Sequence, residues 1–263
     1  MPSSIRSGNF SLVLSGGGAL GFAHLGVLHD LERLGLLPGE IVGTSMGGII
    51  GACMAVGMKE SEIFEHIRAF SGVYNWLAFS LTGNAVIDTK KIGRIFDALF
   101  GERKMRDAAI PLKLIATDLL TGDKRLFDAS DNVRIKDAVL ATMAIPGVFD
   151  EHRIDGTVYG DGFLCENLGI TEAIFDEVIA VDVLGRNAFR HEMPDHRLKT
   201  SNVLEMFEKS LRLLIYNQTR SNLRHSGRNI RLIEPGTKHY KTFSFHKAEA
   251  IRALGLGLLE KTL

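Results

Sequence analysis

The chain has 263 residues, 45% hydrophobic and 24% charged, a balance typical of a globular protein with a sizeable core. Its 31 basic and 31 acidic residues cancel, so the basic excess of a nucleic-acid binder is missing. The two cysteines, Cys53 and Cys165, make no disulfide framework and are predicted to be free buried thiols in a reducing compartment. Residues 1–10 lack a signal-peptide pattern, and no apolar run is long enough to span a bilayer. We expect a cytoplasmic protein whose membrane contact, if any, is peripheral at the inner face.

The first predicted strand, residues 11–14, leads directly into a glycine-rich loop. Gly16, Gly17 and Gly18 lie in that loop, and a helical pattern follows over residues 22–33. Successive backbone N–H groups in such a loop can converge on one point and stabilise a carbonyl oxygen that becomes negative. The loop is therefore a candidate oxyanion hole.

A dinucleotide site is the alternative use of this loop, because Gly16-x-Gly18-x-x-Gly21 matches the G-x-G-x-x-G spacing. That fingerprint also needs an acidic residue at the end of the next strand, about 20 residues further on. The second predicted strand, residues 40–44, ends instead in Gly-Thr-Ser. The sequence therefore disfavours nucleotide binding.

The segment Gly43-Thr44-Ser45-Met46-Gly47 matches G-x-S-x-G, between the second predicted strand and a helix-compatible run. In a nucleophile elbow the serine occupies a strained strand-to-helix turn that presents its hydroxyl to a ligand. Side chains at Gly43 or Gly47 would collide with the neighbouring strand or helix. The helix N-terminus beneath the serine favours developing negative charge. Ser45 is thus a candidate nucleophile.

The chain continues with alternating helices and strands. Helices are predicted at residues 49–58, 61–70, 89–100 and 134–143, and strands at residues 112–117 and 124–127, the latter pairing back as a hairpin. Residues 74–86 are aromatic and irregular, which fits a lid, a pocket wall or plain core packing.

Two Asp-Gly pairs follow, and they have different expected roles. Asp155-Gly156 separates two short apolar stretches and is predicted to be a type I′ hairpin turn. Asp161-Gly162 comes after the second stretch, where no further turn is needed. Asp161 is therefore a candidate base for Ser45.

The last part of the chain is predicted to be mainly helical. Strands are expected at residues 178–183 and 229–233, a polar loop at 190–200, and helices at 202–225 and 246–259. The long helix has an apolar face that either packs on the sheet or contacts a membrane surface. That face comprises Val203, Leu204, Phe207, Leu211, Leu214 and Ile215. No linker divides the chain, so we expect one domain over residues 1–263, with a motif-bearing core at about 10–183 and a helical part at about 200–263.

Taken in order, these motifs resemble the patatin-like phospholipases. The matching segments are Gly16 to Gly21, Ala23 to Leu28, Gly43 to Gly47, Ala116-Thr117-Asp118, Ala144 to Phe149, and Asp155-Gly156 through Asp161-Gly162 to Asn167. The resemblance implies a three-layer α/β/α fold with a central, mainly parallel sheet and helices on both faces. It also implies a Ser45–Asp161 dyad, an oxyanion hole from the Gly16–Gly18 loop, and hydrolysis of lipid acyl esters without a metal or other cofactor.

Three positions depart from the family pattern. Leu20 stands where the family usually has Arg or Lys, which bears on headgroup recognition. Phe163 follows Asp161-Gly162 where a small residue is usual, and Asn167-Leu168-Gly169 replaces N-x-P.

The leading hypothesis is a serine acyl hydrolase of the phospholipase A or lysophospholipase type, which acts on a lipid or acyl ester and binds no nucleic acid. A second hypothesis keeps Ser45 but adds a histidine in the order Ser, Asp, His. The histidines late enough in the chain are His191, His196, His225, His239 and His246. His24, beside the glycine loop, is interpreted as a packing residue. A third hypothesis is a lipid-binding or regulatory relative without activity, signalled by Leu20 and Phe163. The sequence leaves the oligomeric state open.

Overall fold

A computed structural model describes residues 5–68, 89–149, 151–189 and 200–263 of the chain; for residues 89–91 and 200–205 it describes the backbone alone. The strands are β1 (Ser11–Leu14), β2 (Glu40–Thr44), β3 (Leu112–Asp118), β4 (Lys124–Phe127), β5 (His152–Ile154), β6 (Thr157–Asp161), β7 (Glu177–Val181) and β8 (Asn229–Ile233). The α-helices are α1 (Phe22–Arg33), α2 (Ser45–Ala55), α3 (helical over residues 60–68), α4 (Thr89–Phe100), α5 (Ile135–Thr142), α6 (Thr200–His225) and α7 (Ala248–Ala253).

In the described part of the chain, the eight strands form one sheet with the order β5-β6-β3-β2-β1-β7-β8, and β4 also pairs with β3. Five neighbouring strands run parallel, namely β3, β2, β1, β7 and β8. Strands β4 and β6 each pair antiparallel with β3, and β5 pairs antiparallel with β6. The carboxyl ends of β1 and β2 therefore meet at one edge of the sheet. That edge holds the glycine loop and Ser45, and in parallel sheets it is where ligands bind.

Alternate residues of the central strands pack on opposite faces of the sheet, as the period of two in a strand requires. Leu12 and Leu14 of β1 join the larger core, which includes α1, α2, α4, α5 and α7. Val13 joins a second core with residues 168–173, against which Leu223 of α6 packs. Helical segments thus cover both faces, which confirms the predicted α/β/α class.

Most predicted elements are confirmed with shifts of a few residues, including the hairpin formed by β3 and β4. The predicted turn at Asp155-Gly156 is also confirmed, because both residues have positive φ angles, 48° and 83°, between β5 and β6. Cys53 is buried, whereas Cys165 is half-buried, and both are free thiols. The segment 74–86, interpreted as a lid, a pocket wall or core, lies outside the described residues.

The prediction of a final helix over residues 246–259 is wrong beyond Ala253, where α7 ends. A β-carbon on Gly255 would lie 2.0 Å from the carbonyl oxygen of Ala23, so the chain packs directly on the backbone of α1. The Asp30 carboxylate then accepts hydrogen bonds from the N–H groups of Gly257 and Leu259, at 3.0 Å and 3.3 Å. These contacts replace the bonds that a continued helix would make.

The predicted apolar face of α6 does not pack as one unit. Ile215 is buried and Leu211 packs against the larger core, but Phe207 and Leu214 are 69% and 67% exposed. Met206 and Leu213 are also exposed. The packed-face interpretation is therefore correct for one side of the helix and wrong for Phe207 and Leu214. The described residues contain no helix that is both long and apolar enough to cross a membrane.

Candidate active site

Ser45 occupies a strained turn between β2 and α2. Its φ angle is +53°, which is unfavourable for a residue with a β-carbon, and Thr44 before it is extended. The glycines on either side allow close packing: a β-carbon on Gly43 would lie 2.6 Å from the Cα of Gly48. On Gly47 it would lie 2.4 Å from the carbonyl oxygen of Leu14. This is the backbone geometry of a nucleophile elbow.

Thr142, at the end of α5, holds this turn in place. The backbone N–H of Ser45 donates to the Thr142 hydroxyl over 3.0 Å, and that hydroxyl donates to the carbonyl oxygen of Ile115 in β3. All three residues are buried. The otherwise unpaired N–H of a strained residue is thereby satisfied, and the elbow is connected to both α5 and the central sheet.

Asp161 is the hydrogen-bond partner of Ser45. The Ser45 hydroxyl donates to Asp161 Oδ2 over 2.5 Å. Asp161 ends β6, where it pairs with Ala116 of β3, and its N–H donates to the carbonyl oxygen of Ala144 over 2.8 Å. The antiparallel pairing of β6 with β3 therefore brings the carboxylate to the edge of the sheet that carries the elbow.

Burial raises the pKa of Asp161 to about 7, because the fully buried carboxylate loses its hydration. Two hydrogen bonds oppose this shift: one from the Ser45 hydroxyl and one from the N–H of Phe163, 3.0 Å from Asp161 Oδ1. A carboxylate with a pKa near neutrality is a much better proton acceptor than one in water. The arrangement can therefore take a proton from Ser45 at ordinary pH.

The glycine loop lies directly against Ser45. A β-carbon on Gly16 would lie 3.0 Å from the β-carbon of Ser45. The Gly16 N–H is occupied, since it donates to the carbonyl oxygen of Asn167 over 3.2 Å. Among the described residues, the N–H groups of Gly17 and Gly18 have no acceptor. Of the three predicted oxyanion-loop glycines, these two keep an N–H free for a ligand.

His24 supports the residue before this loop. It is fully buried, and its Nε2–H donates to the carbonyl oxygen of Ser15 over 2.8 Å. Burial lowers the pKa of His24 to about 4, so the ring is neutral at physiological pH. The packing interpretation of His24 is confirmed, with a hydrogen bond to the loop added to it.

The histidines of the alternative triad have no described contact with the pair. Among the described residues, the hydrogen-bond partners of the Asp161 carboxylate are Ser45 and the N–H of Phe163. His225 lies on α6, where its ring contacts the carbonyl oxygen of Ser221. His191 and His196 lie outside the described residues. Within the described chain, no group of three or more His, Cys, Asp or Glu side chains could hold a metal ion.

Two of the departures from the family pattern have clear positions. Leu20 is fully buried in the larger core, so it is not placed to contact a charged headgroup. Phe163 is half-buried and packs against the same core, while its N–H bonds the Asp161 carboxylate. Its side chain therefore leaves the contact between Asp161 and Ser45 open.

Thr142 and the hydrogen bond of His24 were not predicted. Thr142 belongs to none of the sequence motifs, and only the packing of α5 against α2 and β3 brings it to Ser45. Its position two residues before the Ala144-Ile145-Pro146-Gly147 segment was the one local signal available.

Residues 12–174 match the sequence model of the Patatin-like phospholipase family. This match covers more than half of the chain, and it agrees with the elbow and the glycine loop described above. The chain belongs to the patatin-like phospholipase family.

The chain is also similar to individual proteins. An uncharacterised NTE family protein of Mycobacterium tuberculosis (strain ATCC 25618 / H37Rv) is 30% identical over 182 residues, which cover 68% of this chain and 50% of the relative. A triacylglycerol lipase of Schizosaccharomyces pombe is 28% identical over 166 residues, covering 55% of this chain and 34% of the lipase. The chain thus spans half or less of these relatives. The crystal structure of VipD from Legionella pneumophila superposes with a TM-score of 0.49 and 14% identity, covering 97% of this chain and 67% of VipD.

Proposed function

We propose that this protein is a serine hydrolase that cleaves acyl esters of lipids, with Ser45 as nucleophile and Asp161 as base. The observation that carries the proposal is the 2.5 Å hydrogen bond from the Ser45 hydroxyl to a buried carboxylate, made at a strained turn. Membership of the patatin-like phospholipase family supports the hydrolysis of lipid esters without specifying which residues carry it out. The assignment of the dyad rests on the geometry.

In the first step, Asp161 takes the proton of the Ser45 hydroxyl while Oγ attacks the ester carbonyl carbon. The carbonyl oxygen becomes a negatively charged oxyanion, and the free N–H groups of Gly17 and Gly18 are the donors proposed to stabilise it. Collapse of this intermediate breaks the ester bond. The leaving alcohol takes the proton from Asp161, and the acyl group stays on Ser45.

In the second step, water attacks the acyl-enzyme. Asp161 accepts a proton from the water, a second oxyanion forms in the same loop, and collapse releases the fatty acid. The proton returns to Ser45 Oγ. Because one carboxylate serves as base in both steps, the scheme needs no histidine.

The substrate class we propose is a phospholipid or lysophospholipid acyl ester, with other acyl esters as slower substrates. The family's description names phospholipase, and one relative is named a triacylglycerol lipase. Buried Leu20 supplies no positive charge for a phosphate. We therefore expect the acyl chain, rather than the headgroup, to determine most of the selectivity.

The test of this function is a panel of phosphatidylcholine, lysophosphatidylcholine, a triacylglycerol and p-nitrophenyl acyl esters. Wild-type protein should release fatty acid from at least one lipid, and Ser45→Ala should release none. The matched control is Ser61→Ala, which removes an exposed hydroxyl from α3. Undiminished turnover by Ser45→Ala would refute the proposal, and an inactive wild type would favour the non-enzymatic relative.

The partner we propose is a lipid surface, contacted through the exposed apolar face of α6. Four large apolar side chains define this face: Met206, Phe207, Leu213 and Leu214. The opposite side of α6 is connected to the glycine loop through Thr242. Arg212 donates to the Thr242 hydroxyl, and the Thr242 carbonyl oxygen accepts the N–H of Ala19, which follows Gly18. Ser210, which lies between the apolar side chains of this face on the helix, is exposed and also uncharged, which suits a neutral or zwitterionic surface.

Sedimentation with phosphatidylcholine vesicles tests this contact. Phe207→Ser combined with Leu214→Ser should reduce the bound fraction, while turnover of a soluble p-nitrophenyl ester stays at the wild-type level. Equal vesicle binding by wild type and the double variant would contradict a lipid contact through this face.

A further inference from the structure

Asn167 contacts the glycine loop at two points. Its carbonyl oxygen accepts the N–H of Gly16 over 3.2 Å, and its side-chain Nδ2 donates to the carbonyl oxygen of Gly16 over 3.5 Å. Asn167 is 1% exposed. Both polar groups of one glycine are thus held by a single buried residue, which lies 151 positions away in sequence.

The side chain of Asn167 is also incompletely satisfied. Its Oδ1 is buried and has no hydrogen-bond partner in the described part of the chain. A buried amide oxygen left unpaired costs about 1–3 kcal/mol relative to a satisfied one. An apolar side chain would avoid that cost, so the carboxamide needs a reason other than packing.

Gly16 packs against both Asn167 and the nucleophile. A β-carbon on Gly16 would lie 2.6 Å from Asn167 Oδ1 and 3.0 Å from the β-carbon of Ser45. Any rotation of the Gly16 peptide would therefore move the next two N–H groups, those of Gly17 and Gly18, relative to Ser45. Asn167 holds both the N–H and the carbonyl oxygen of Gly16, so it fixes the two peptide groups on either side of the Gly16 Cα. It thereby sets the direction of the N–H groups that follow.

We infer that Asn167 is a positioning residue that fixes the Gly16 peptide and thereby orients the oxyanion donors of Gly17 and Gly18. This inference rests on the proposed function, because it assigns a role within the same reaction. Asn167 acts through the loop and does not touch the reacting atoms in this arrangement.

The inference predicts a specific kinetic signature. Interactions with the oxyanion form only in the transition state, so their loss lowers kcat and leaves KM nearly unchanged. A small misplacement of catalytic groups costs up to about 100-fold in rate. We expect Asn167→Ala to lower kcat about 10- to 100-fold on p-nitrophenyl butyrate.

The experiment compares wild type, Asn167→Ala, Asn167→Leu and Asn217→Ala. Asn167→Leu is nearly isosteric and removes the carboxamide without adding a charge, so it remains informative if the alanine variant fails to fold. Asn217 is exposed on α6 and serves as the matched control. For each protein, kcat, KM, thermal stability and affinity for a trifluoromethyl ketone are measured, because the ketone forms a tetrahedral oxyanion on the serine.

In the expected result, folded Asn167 variants lose kcat and ketone affinity in parallel, keep KM and keep the pH midpoint of the wild type. Asn217→Ala behaves as wild type. Wild-type kcat and ketone affinity in both Asn167 variants would overturn the inference and leave the proposed function intact. A rise in KM without loss of kcat would also overturn it. Wild-type protein that neither turns over the ester nor binds the ketone would overturn both proposals together.

Discussion

The Ser45 hydroxyl donates to Asp161 Oδ2 over 2.5 Å, although the two residues are 116 positions apart in sequence. The contact exists because β6 runs antiparallel to β3 and places Asp161 opposite Ala116, beside the carboxyl end of β2. Both side chains are buried, with Ser45 5% and Asp161 0% exposed. A serine that bonds a dehydrated carboxylate has its proton acceptor already in place.

Replacing the base tests this relationship directly. Asp161→Asn keeps the shape of the side chain but removes the proton acceptor, and general-base catalysis typically contributes about 10²–10⁴-fold. We expect kcat on a p-nitrophenyl ester to fall by at least about 100-fold. Asp155→Asn is the matched control, because asparagine tolerates the positive φ angle at this hairpin turn. Comparable activity in the two variants would show that Asp161 is not the base.

The pH dependence of kcat/KM should report the raised pKa of Asp161. The base must be ionised, and burial raises its pKa to about 7. We therefore expect kcat/KM to increase about tenfold per pH unit below about pH 7 and to level off above it. Steady-state kinetics between pH 5 and 9, on a substrate without ionisable groups, measure the profile. A plateau that extends down to pH 5 would contradict a buried base.

The same carboxylate should make folding stability depend on pH. Because its pKa is raised in the folded state, native Asp161 binds a proton more tightly than unfolded Asp161 between about pH 4 and pH 7. The contribution of Asp161 to the free energy of unfolding therefore falls as the pH rises through this window. Burial raises the pKa of Asp182 in the same direction.

Chemical denaturation of wild type and Asp161→Asn at pH 4.5 and pH 8.5 separates the Asp161 contribution from that of Asp182. The asparagine variant should be the more stable protein at pH 8.5, and its advantage should shrink towards pH 4.5. A difference that is the same at both pH values would mean that Asp161 does not titrate with a raised pKa.

The hydroxyl of Thr142 should support both the stability of the elbow and its chemistry. Thr142→Val leaves the buried N–H of Ser45 without an acceptor, at a cost of about 1–3 kcal/mol in the free energy of unfolding. We also expect a lower kcat, because the strained turn loses a restraint. Thr142→Ser keeps the hydroxyl and should restore most of both properties. A valine variant with wild-type stability and wild-type kcat would show that the Thr142 hydroxyl does not restrain the turn.

The sequence predicted the features that depend on local chemistry. A strand, a G-x-S-x-G turn and a helix follow one another within a few residues, so the elbow at Ser45 needed no long-range information. Asp161 was separated from Asp155 because a hairpin requires only one Asp-Gly turn. Both predictions depend on backbone rules that operate over short segments.

The features that escaped prediction depend on contacts between distant segments. The packing of α5 against α2 and β3 determines that Thr142 meets Ser45, and the close approach of Gly255 to α1 ends the last helix early. The two sides of α6 could not be separated either, because periodicity identifies an apolar face without showing what packs against it. The sequence therefore did not distinguish exposed Phe207 and Leu214 from buried Ile215.

The most direct test of the central claim is covalent labelling with a fluorophosphonate, followed by peptide mapping by mass spectrometry. An activated serine reacts, and an ordinary one does not. The Ser45–Asp161 assignment predicts one adduct per chain on Ser45 in wild type, and a labelling rate reduced at least about 100-fold in Asp161→Asn. Folded wild-type protein that carries no adduct on Ser45, or that carries it on another serine, would contradict the assignment.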